Sequence, residues 1–281
     1  MSPSGLLSAP MLNDLQAQHG GISMLKRFLA MYYGLVAYLL FLGAFLYTVG
    51  FISDTGVPKN IDTGAASPVA VALAIDLALL AIFGLQHSIM ARQGFKRVWT
   101  MIVPQPVERA TFVLAADFAL ILILWQWRPL PGVVWDFTGT AAEPVLQALF
   151  WIGWGVLLLS TFLLNHFELF GLTQVWNYAT NRVAKQSTFK TPSLYRVVRH
   201  PLYLGFVIAF WSTPRMTVSR LVFAAVCTAY ILVGIYFEER DLIAHYGLVY
   251  REYRSRVPML IPFFRRPKSE PMQQSAKSKA A

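Results

Sequence analysis

Between Arg199 and Pro262 the chain reads RHPLYLG, an apolar stretch, and then FEERDLIAHYGLVYREYRSRVPMLIP. Residue types that bind ligands concentrate here. Pro201, directly after His200, suits the first turn of a helix, where no backbone donor is needed. Arg199 and His200 then stand at a helix entrance whose free N–H groups favour anions. Gly205 lets another backbone or a ligand approach closely. Glu238 and Glu239 are adjacent and so point in different directions on a helix. Glu239 shares a face with Leu242 and Tyr246, and Glu238 shares one with Asp241 and His245. Tyr250, Arg251, Tyr253 and Arg256 add cations and aromatic faces. The set suits a ligand that carries both an anionic group and a cationic centre. It equally suits an interfacial amphipathic helix whose arginines meet lipid phosphates and whose tyrosines sit at headgroup level. Physical grounds alone leave these two readings level.

A second group of polar residues lies inside apolar runs, where ionisable side chains are costly and need a reason. Asp76, Leu80, Phe83 and His87 follow helical spacing and share one face. Thr161, Asn165 and Glu168 recur at i, i+4 and i+7, a polar stripe with His166 beside it. Asp76 and Asp117, near the middle of their runs, are expected to hydrogen-bond between helices and hold a bundle together. His87, His166 and Glu168 converge on the level where the Arg-His-Pro motif opens, and are the candidates for proton chemistry. No HExxH pair is present. Cys227 is the single cysteine, so an internal disulfide and a thiolate metal cluster are excluded, and no metal site is expected.

The elements that must position these residues follow from composition. The chain has 281 residues, 56% hydrophobic and 14% charged, with a mean hydropathy of +0.50. A soluble domain of this length carries about 25% charge, and several apolar runs approach the ~20 residues needed to cross a bilayer. The expected fold is an all-α integral membrane protein. Four transmembrane helices are expected at about 28–52, 68–90, 109–127 and 146–170, within a bundle spanning 25–198. A cofactor-binding segment at 199–264 adds a cytoplasm-facing helical hairpin over 201–236 and a C-terminal amphipathic helix. Residues 1–24 read as a flexible tail without the order of a signal peptide, and 265–281 as a disordered one.

The net charge of +10 is clustered in alternate loops, which points to topology before nucleic acid. Lys26 and Arg27 precede the first span; Arg92, Lys96 and Arg97 follow the second; Arg182, Lys185, Lys190, Arg196 and Arg199 follow the fourth. The intervening loops hold only Lys59 and Arg128. The positive-inside rule places both termini and the basic loops in the cytoplasm. Arg215 and Arg220, near the tip of the hairpin, fit that pattern less well.

The ordered set Arg199, His200, Pro201, Tyr203, Gly205, Glu238, Glu239, Gly247, Tyr250, Tyr253, Val257 and Pro258 resembles the shared pattern of a membrane methyltransferase superfamily. That superfamily joins the isoprenylcysteine carboxyl methyltransferases and the phospholipid methyltransferases. Upstream, QHSIMARQGFKRVW, VPQPVERATFVL, WQWRPLPGVVW and NHFELFGLTQVW resemble its NnrU-like branch, and within it the bacterial methanethiol S-methyltransferases. The likeness runs over roughly Ile82 to Pro262.

The resemblance implies S-adenosylmethionine as cofactor, a small thiol as substrate and a bacterial inner membrane as location. It implies cofactor binding by Arg199, His200, Tyr203, Gly205, Glu238, Glu239, Tyr250, Arg251, Tyr253 and Arg256, with an arginine on the carboxylate and a glutamate on the ribose or amine. A thiol must lose its proton to react well, so His87 or His166 is expected as base, with Glu168 orienting it. Two other readings remain at this stage. One is a prenyl- or phospholipid methyltransferase, which needs an opening wide enough for a lipid tail. The other is a non-catalytic membrane subunit, which would not bind the cofactor.

Overall fold

The computed structural model describes residues 23–183 and 189–262. Most of the two expected tails, and Lys185 of the third basic loop, lie outside the described residues. The architecture is all-α, as expected. Four helices are long and apolar enough to cross a membrane: α1 (Met24–Ser53), α2 (Val69–Ala91), α5 (Ala142–Leu163) and α9 (Val218–Tyr246). Between them lie α3 (Gln93–Trp99), α4 (Gln105–Gln126), α6 (His166–Leu169), α7 (Leu172–Ala179) and α8 (Pro201–Trp211), and α10 (Leu248–Arg256) follows α9. The third expected span is α4. It has the length of α5 but carries Glu108 and Arg109 in its first turns and a buried Asp117.

Helix association in an apolar solvent depends on close backbone approach, so small residues mark the contacts. On α1, Ala30, Gly34, Ala37 and Ala44 are buried, and a Cβ on Gly34 would stand 2.6 Å from the Val175 side chain of α7. The tightest crossing joins α5 to α8. There a Cβ on Gly205 would lie 2.7 Å from the Gly153 carbonyl oxygen and 2.7 Å from the Leu157 nitrogen. The apolar core sits beside this crossing, around Trp127, Trp154, Phe210 and Phe223.

Three expectations change. The fourth span ends at Leu163, not near 170, because Asn165 adopts φ 80°, a left-handed conformation that asparagine tolerates and a helix does not. The stripe of Thr161, Asn165 and Glu168 is therefore broken, and His166 starts a separate turn. The returning arm of the hairpin does not stop at 236; α9 continues to Tyr246 and carries Glu238 and Glu239 in its last turns.

The tip of the hairpin is also not an isolated turn. β2 (Arg215–Thr217) pairs antiparallel with β1 (Val133–Asp136) from the loop between α4 and α5, and Trp135 Nε1 donates to the Thr213 carbonyl at 3.1 Å. Since that loop joins the far ends of two long helices, the hairpin reaches the face opposite the Arg-His-Pro entrance. Arg215 and Arg220, out of place by charge counting, are paired there. Arg220 Nε donates to Asp62 at 2.8 Å, and Arg215 lies 3.5 Å from Asp136.

Candidate active site

Pro201 opens α8 with His200 as its N-cap residue, as the sequence pattern requires. The end of the motif docks on its beginning. The backbone N–H groups of Arg199 and His200 donate to the carbonyls of Pro258 (2.9 Å) and Met259 (3.2 Å). Arg199 Nη1 adds bonds to the carbonyls of Arg254 (3.1 Å) and Val257. This pairing explains why a Val-Pro step closes the segment: it turns the chain so that its carbonyls face Arg199.

The two adjacent glutamates have different surroundings. Glu239 is 5% exposed, is hydrogen-bonded to Arg199 and His200, and forms a further ion pair with Arg254. Arg199 Nε lies at 2.7 Å and His200 Nε2 at 3.2 Å from one oxygen, and Arg254 Nε at 3.0 Å from the other. Its hydrogen-bonding capacity is largely used within the protein. The Glu238 side chain is 44% exposed and stands 3.7 Å from His200 Nδ1, and the Tyr203 phenol faces it. Glu238 is thus the accessible member of this cluster, beside the buried His200 ring and the half-buried Tyr203, while Arg199 and Glu239 brace it from behind.

The remaining residues expected to bind cofactor divide in the same way. Tyr250 is buried to 1% and packs edge-on against Phe189; the Tyr253 hydroxyl donates to the Tyr195 carbonyl at 2.6 Å. Both rings clamp the segment before Arg199 onto α10, and burial pushes the Tyr253 phenol up to about 12. Arg251 is exposed. Arg256 is not brought to the cluster; it pairs with Glu252 on its own helix. Gly205 makes a close approach, but to the backbone of α5. That space is filled, so Gly205 serves helix packing and not a ligand. Arg254, absent from the expected set, is the additional partner. Only its place one turn beyond Tyr250 and Arg251 could have suggested it.

The two histidines also separate. His166 is 6% exposed, and both ring nitrogens are engaged, Nδ1 with Thr161 Oγ1 at 2.8 Å and Nε2 with Tyr38 OH at 2.9 Å. Its ring stacks on Phe162 at 4.4 Å, and burial lowers its pKa, favouring the neutral imidazole. Glu168 does not orient it. That carboxylate accepts from Asn165 Nδ2 at 2.7 Å, and among the described residues it makes no hydrogen bond to either histidine, because the break at Asn165 turns it away.

His87 stacks on Phe83 at 5.6 Å and lies 4.9 Å from the Phe112 ring, and among the described residues its buried Nδ1 has no hydrogen-bond partner. Arg109 lies over the Phe112 ring at 4.8 Å and donates to the Leu169 carbonyl at 2.7 Å. Asp76 accepts from the Arg128 backbone N–H at 2.9 Å, a tie between α2 and the end of α4 as the bundle-holding reading expects.

Helix α9 joins His87 to the glutamates. Tyr230 lies 6.5 Å from Phe83, edge to face, and its hydroxyl is 3.2 Å from Ser88 Oγ. Beyond the same interface, Arg92 meets Asp241 at 3.2 Å and covers Phe237 at 4.4 Å. Helix α9 thus carries Glu238 at a polar end and, about two turns before it, Tyr230 against the aromatic group around His87.

Residues 108–257 match a family described as "Protein of unknown function (DUF1295)". No solved structure matches the chain. Among curated proteins, "Methanethiol S-methyltransferase" of Mycobacterium tuberculosis is 51% identical over 239 residues, covering 85% of this chain and 98% of that one. "Methanethiol S-methyltransferase 1" of Bradyrhizobium diazoefficiens is 51% identical over 243 residues, 86% of this chain and 85% of its own. A more distant likeness, 28% over 210 residues covering 69% of this chain and 78% of the other, is to "Nurim" of Pan troglodytes. The bacterial matches cover about 85% of this chain at 51% identity, so the chain belongs to the methanethiol S-methyltransferase family.

Proposed function

We propose that the protein transfers a methyl group from S-adenosylmethionine to methanethiol, giving dimethyl sulfide. The observation that carries this reading is helix α9, which joins an accessible carboxylate, Glu238, to the aromatic group around His87, whose Nδ1 lacks a partner among the described residues, in a chain 51% identical to proteins of that name.

The groups present fit such a cofactor. Glu238 offers acceptor oxygens to amine or ribose hydroxyls, Tyr203 offers an electron-rich face to a sulfonium, and the exposed Arg251 is available to a carboxylate. When bound, S-adenosylmethionine supplies an electrophilic methyl on a positively charged sulfur. Arg199, Glu239 and Arg254 hold Glu238 and His200 in place without spending the accessible carboxylate. At the aromatic end His87 takes the thiol proton, a neutral imidazole being competent for this near pH 7. His166, with both nitrogens occupied, serves to fix the corner between α5 and α7. Phe83 and Phe112 keep water from the reacting sulfur, where anion and cation are both less well solvated and so combine more readily.

The same reading sets the orientation. Arg92, Lys96, Arg97, Arg182, Lys190 and Arg196 lie in the loops on the motif's side, whereas Arg215 and Arg220 at the opposite face are matched by acids. By the positive-inside rule the site and both chain ends face the cytoplasm of a bacterial inner membrane, where the methyl donor is soluble.

Detergent-purified protein given S-adenosylmethionine and methanethiol should release dimethyl sulfide, measured by gas chromatography. Replacing His87 by alanine should slow turnover at saturating cofactor by about 100-fold or more, the usual worth of a positioned base, and His166→Asn by much less. No dimethyl sulfide from the native protein would sink the proposal. Equal losses in the two histidine variants would sink the assignment of the base.

A further inference from the structure

Helix α9 shows a gap where the two ends of the site meet. Tyr230, Gly234 and Glu238 are spaced at i, i+4 and i+8 and share one face of the helix. A Cβ added at Gly234 would meet no atom within 4 Å, although Ile231 and Ile235, on the adjoining face, are buried to 7% and 2%. The space in front of Gly234 thus lies between the accessible carboxylate and the Tyr230 ring.

That ring is held as a fixed wall. A Cβ on Gly84 would stand 3.2 Å from Tyr230 Cε2, so α2 presses against one side of the phenol. Ser88 engages its hydroxyl at 3.2 Å, and Phe83, stacked on His87, meets it edge-on.

We propose that the thiol acceptor binds in this notch, with Gly234 as its floor, the Tyr230 ring as its wall and His87 beyond, and that the absent side chain at Gly234 sets the size of thiol accepted. The proposal rests on the methyl-transfer function proposed above. A notch one side chain deep matches a thiol with one or two carbons. Adding carbons at Gly234 removes that volume without touching the glutamate–arginine network. The reaction there balances: the thiol S–H proton goes to His87, the thiol sulfur gains the methyl, and the donor's C–S bond breaks to leave a neutral thioether.

The test compares native protein, Gly234→Ala and Gly234→Val with methanethiol and ethanethiol as acceptors. S-adenosylhomocysteine affinity is measured by calorimetry on each. Gly155→Val is the control, since a Cβ there also meets nothing within 4 Å but the position is exposed on the outside of α5. The expected result is an unchanged S-adenosylhomocysteine affinity. With it, preference for methanethiol over ethanethiol, as a ratio of kcat/KM, rises about tenfold or more from native to the variants, the worth of a methylene in an apolar pocket. Gly234→Ala gives the smaller change and remains decisive if Gly234→Val does not fold. Gly155→Val should leave the ratio unmoved. An active native protein whose ratio stays constant across both Gly234 variants overturns the notch and leaves the function standing. A native protein that neither binds S-adenosylhomocysteine nor methylates any thiol overturns the function and the notch together.

Discussion

Replacing each of the adjacent glutamates by glutamine separates bracing from binding. Glu239→Gln keeps the shape but removes the charge between Arg199, His200 and Arg254. Whichever way the amide turns, its NH₂ faces a cation or an imidazole that now donates to carboxylate oxygen. The Arg199 side chain is only 9% exposed, so it keeps carbonyl partners but loses its counter-charge inside the protein. Removing one member of a buried pair costs about 3–5 kcal/mol. The contact with Arg254, 39% exposed, adds at most about 1 kcal/mol.

At about 2–4 °C per kcal/mol for a chain of this size, Glu239→Gln should melt roughly 6–24 °C below the native protein. Glu238→Gln has a different expectation. Its carboxylate is 44% exposed and stands 3.7 Å from its nearest imidazole nitrogen, so the loss of stability should stay under about 1 kcal/mol. Its S-adenosylhomocysteine affinity should instead fall about tenfold or more, the worth of a charge-assisted hydrogen bond. Thermal unfolding in detergent followed by circular dichroism reads the first quantity, and calorimetry reads the second. Two variants that melt together, or a Glu238→Gln that melts lower, would refute the division of labour between the two acids.

The crossing of α5 and α8 should not tolerate a side chain. Gly205→Val places its Cβ 2.7 Å from two backbone atoms of α5, and size-exclusion chromatography of the solubilised variant should show aggregate in place of the native peak. At the far face, Arg220→Met leaves Asp62 with Thr217 as its side-chain partner. Its melting point should drop by about 4–8 °C, for a half-buried pair worth roughly 2 kcal/mol, and adding Asp62→Asn should recover part of that loss. The neutral His166 makes a pH prediction. Its folded pKa lies below the unfolded value of about 6.5, so the unfolded chain binds the proton first and stability falls as pH drops through about 6.5. The melting point should therefore decline from pH 7.5 to 5.5 more steeply in the native protein than in His166→Asn, and parallel declines would contradict the burial assigned to this ring.

What the sequence makes legible is what short-range chemistry decides. Pro201 starts a helix because proline suits a first turn, and the apolar runs are helices because nothing else satisfies the backbone in a bilayer. Adjacency alone says that Glu238 and Glu239 must face different neighbours. Which of them is buried depends on Arg199 and Arg254, brought from either side by the docking of Pro258 and Met259 on the helix entrance, and no local pattern encodes that. The stripe from Thr161 to Glu168 fails for one residue. Helical spacing assumes that every residue on the path is helical, and Asn165 is among the few types that take a positive φ at small cost. One such residue detaches Glu168 from His166 and ends the span about two turns early.

The arginines at the hairpin tip show the same limit in the charge pattern. Counting basic residues assumes that each is free to interact with lipid and solvent, so Arg215 and Arg220 count against a tip on the far side. In the folded chain Asp136 and Asp62 neutralise them, and both acids come from loops distant in sequence. With these pairs set aside, the far face keeps only Lys59 and Arg128 among the described basic loop residues, whereas Arg92, Lys96, Arg97, Arg182, Lys190 and Arg196 lie at the face bearing Glu238 and His200, and Arg220 becomes an anchor. It fixes α9 at one end by Asp62 and the Ile52 carbonyl, so the register of Tyr230, Gly234 and Glu238 against α2 is set from both ends of that helix. Shifting α9 by one residue would rotate Gly234 by about 100°, closing the notch and turning Glu238 away from Tyr203. The distant salt bridge and the selectivity for a small thiol are then two consequences of one helix held in register.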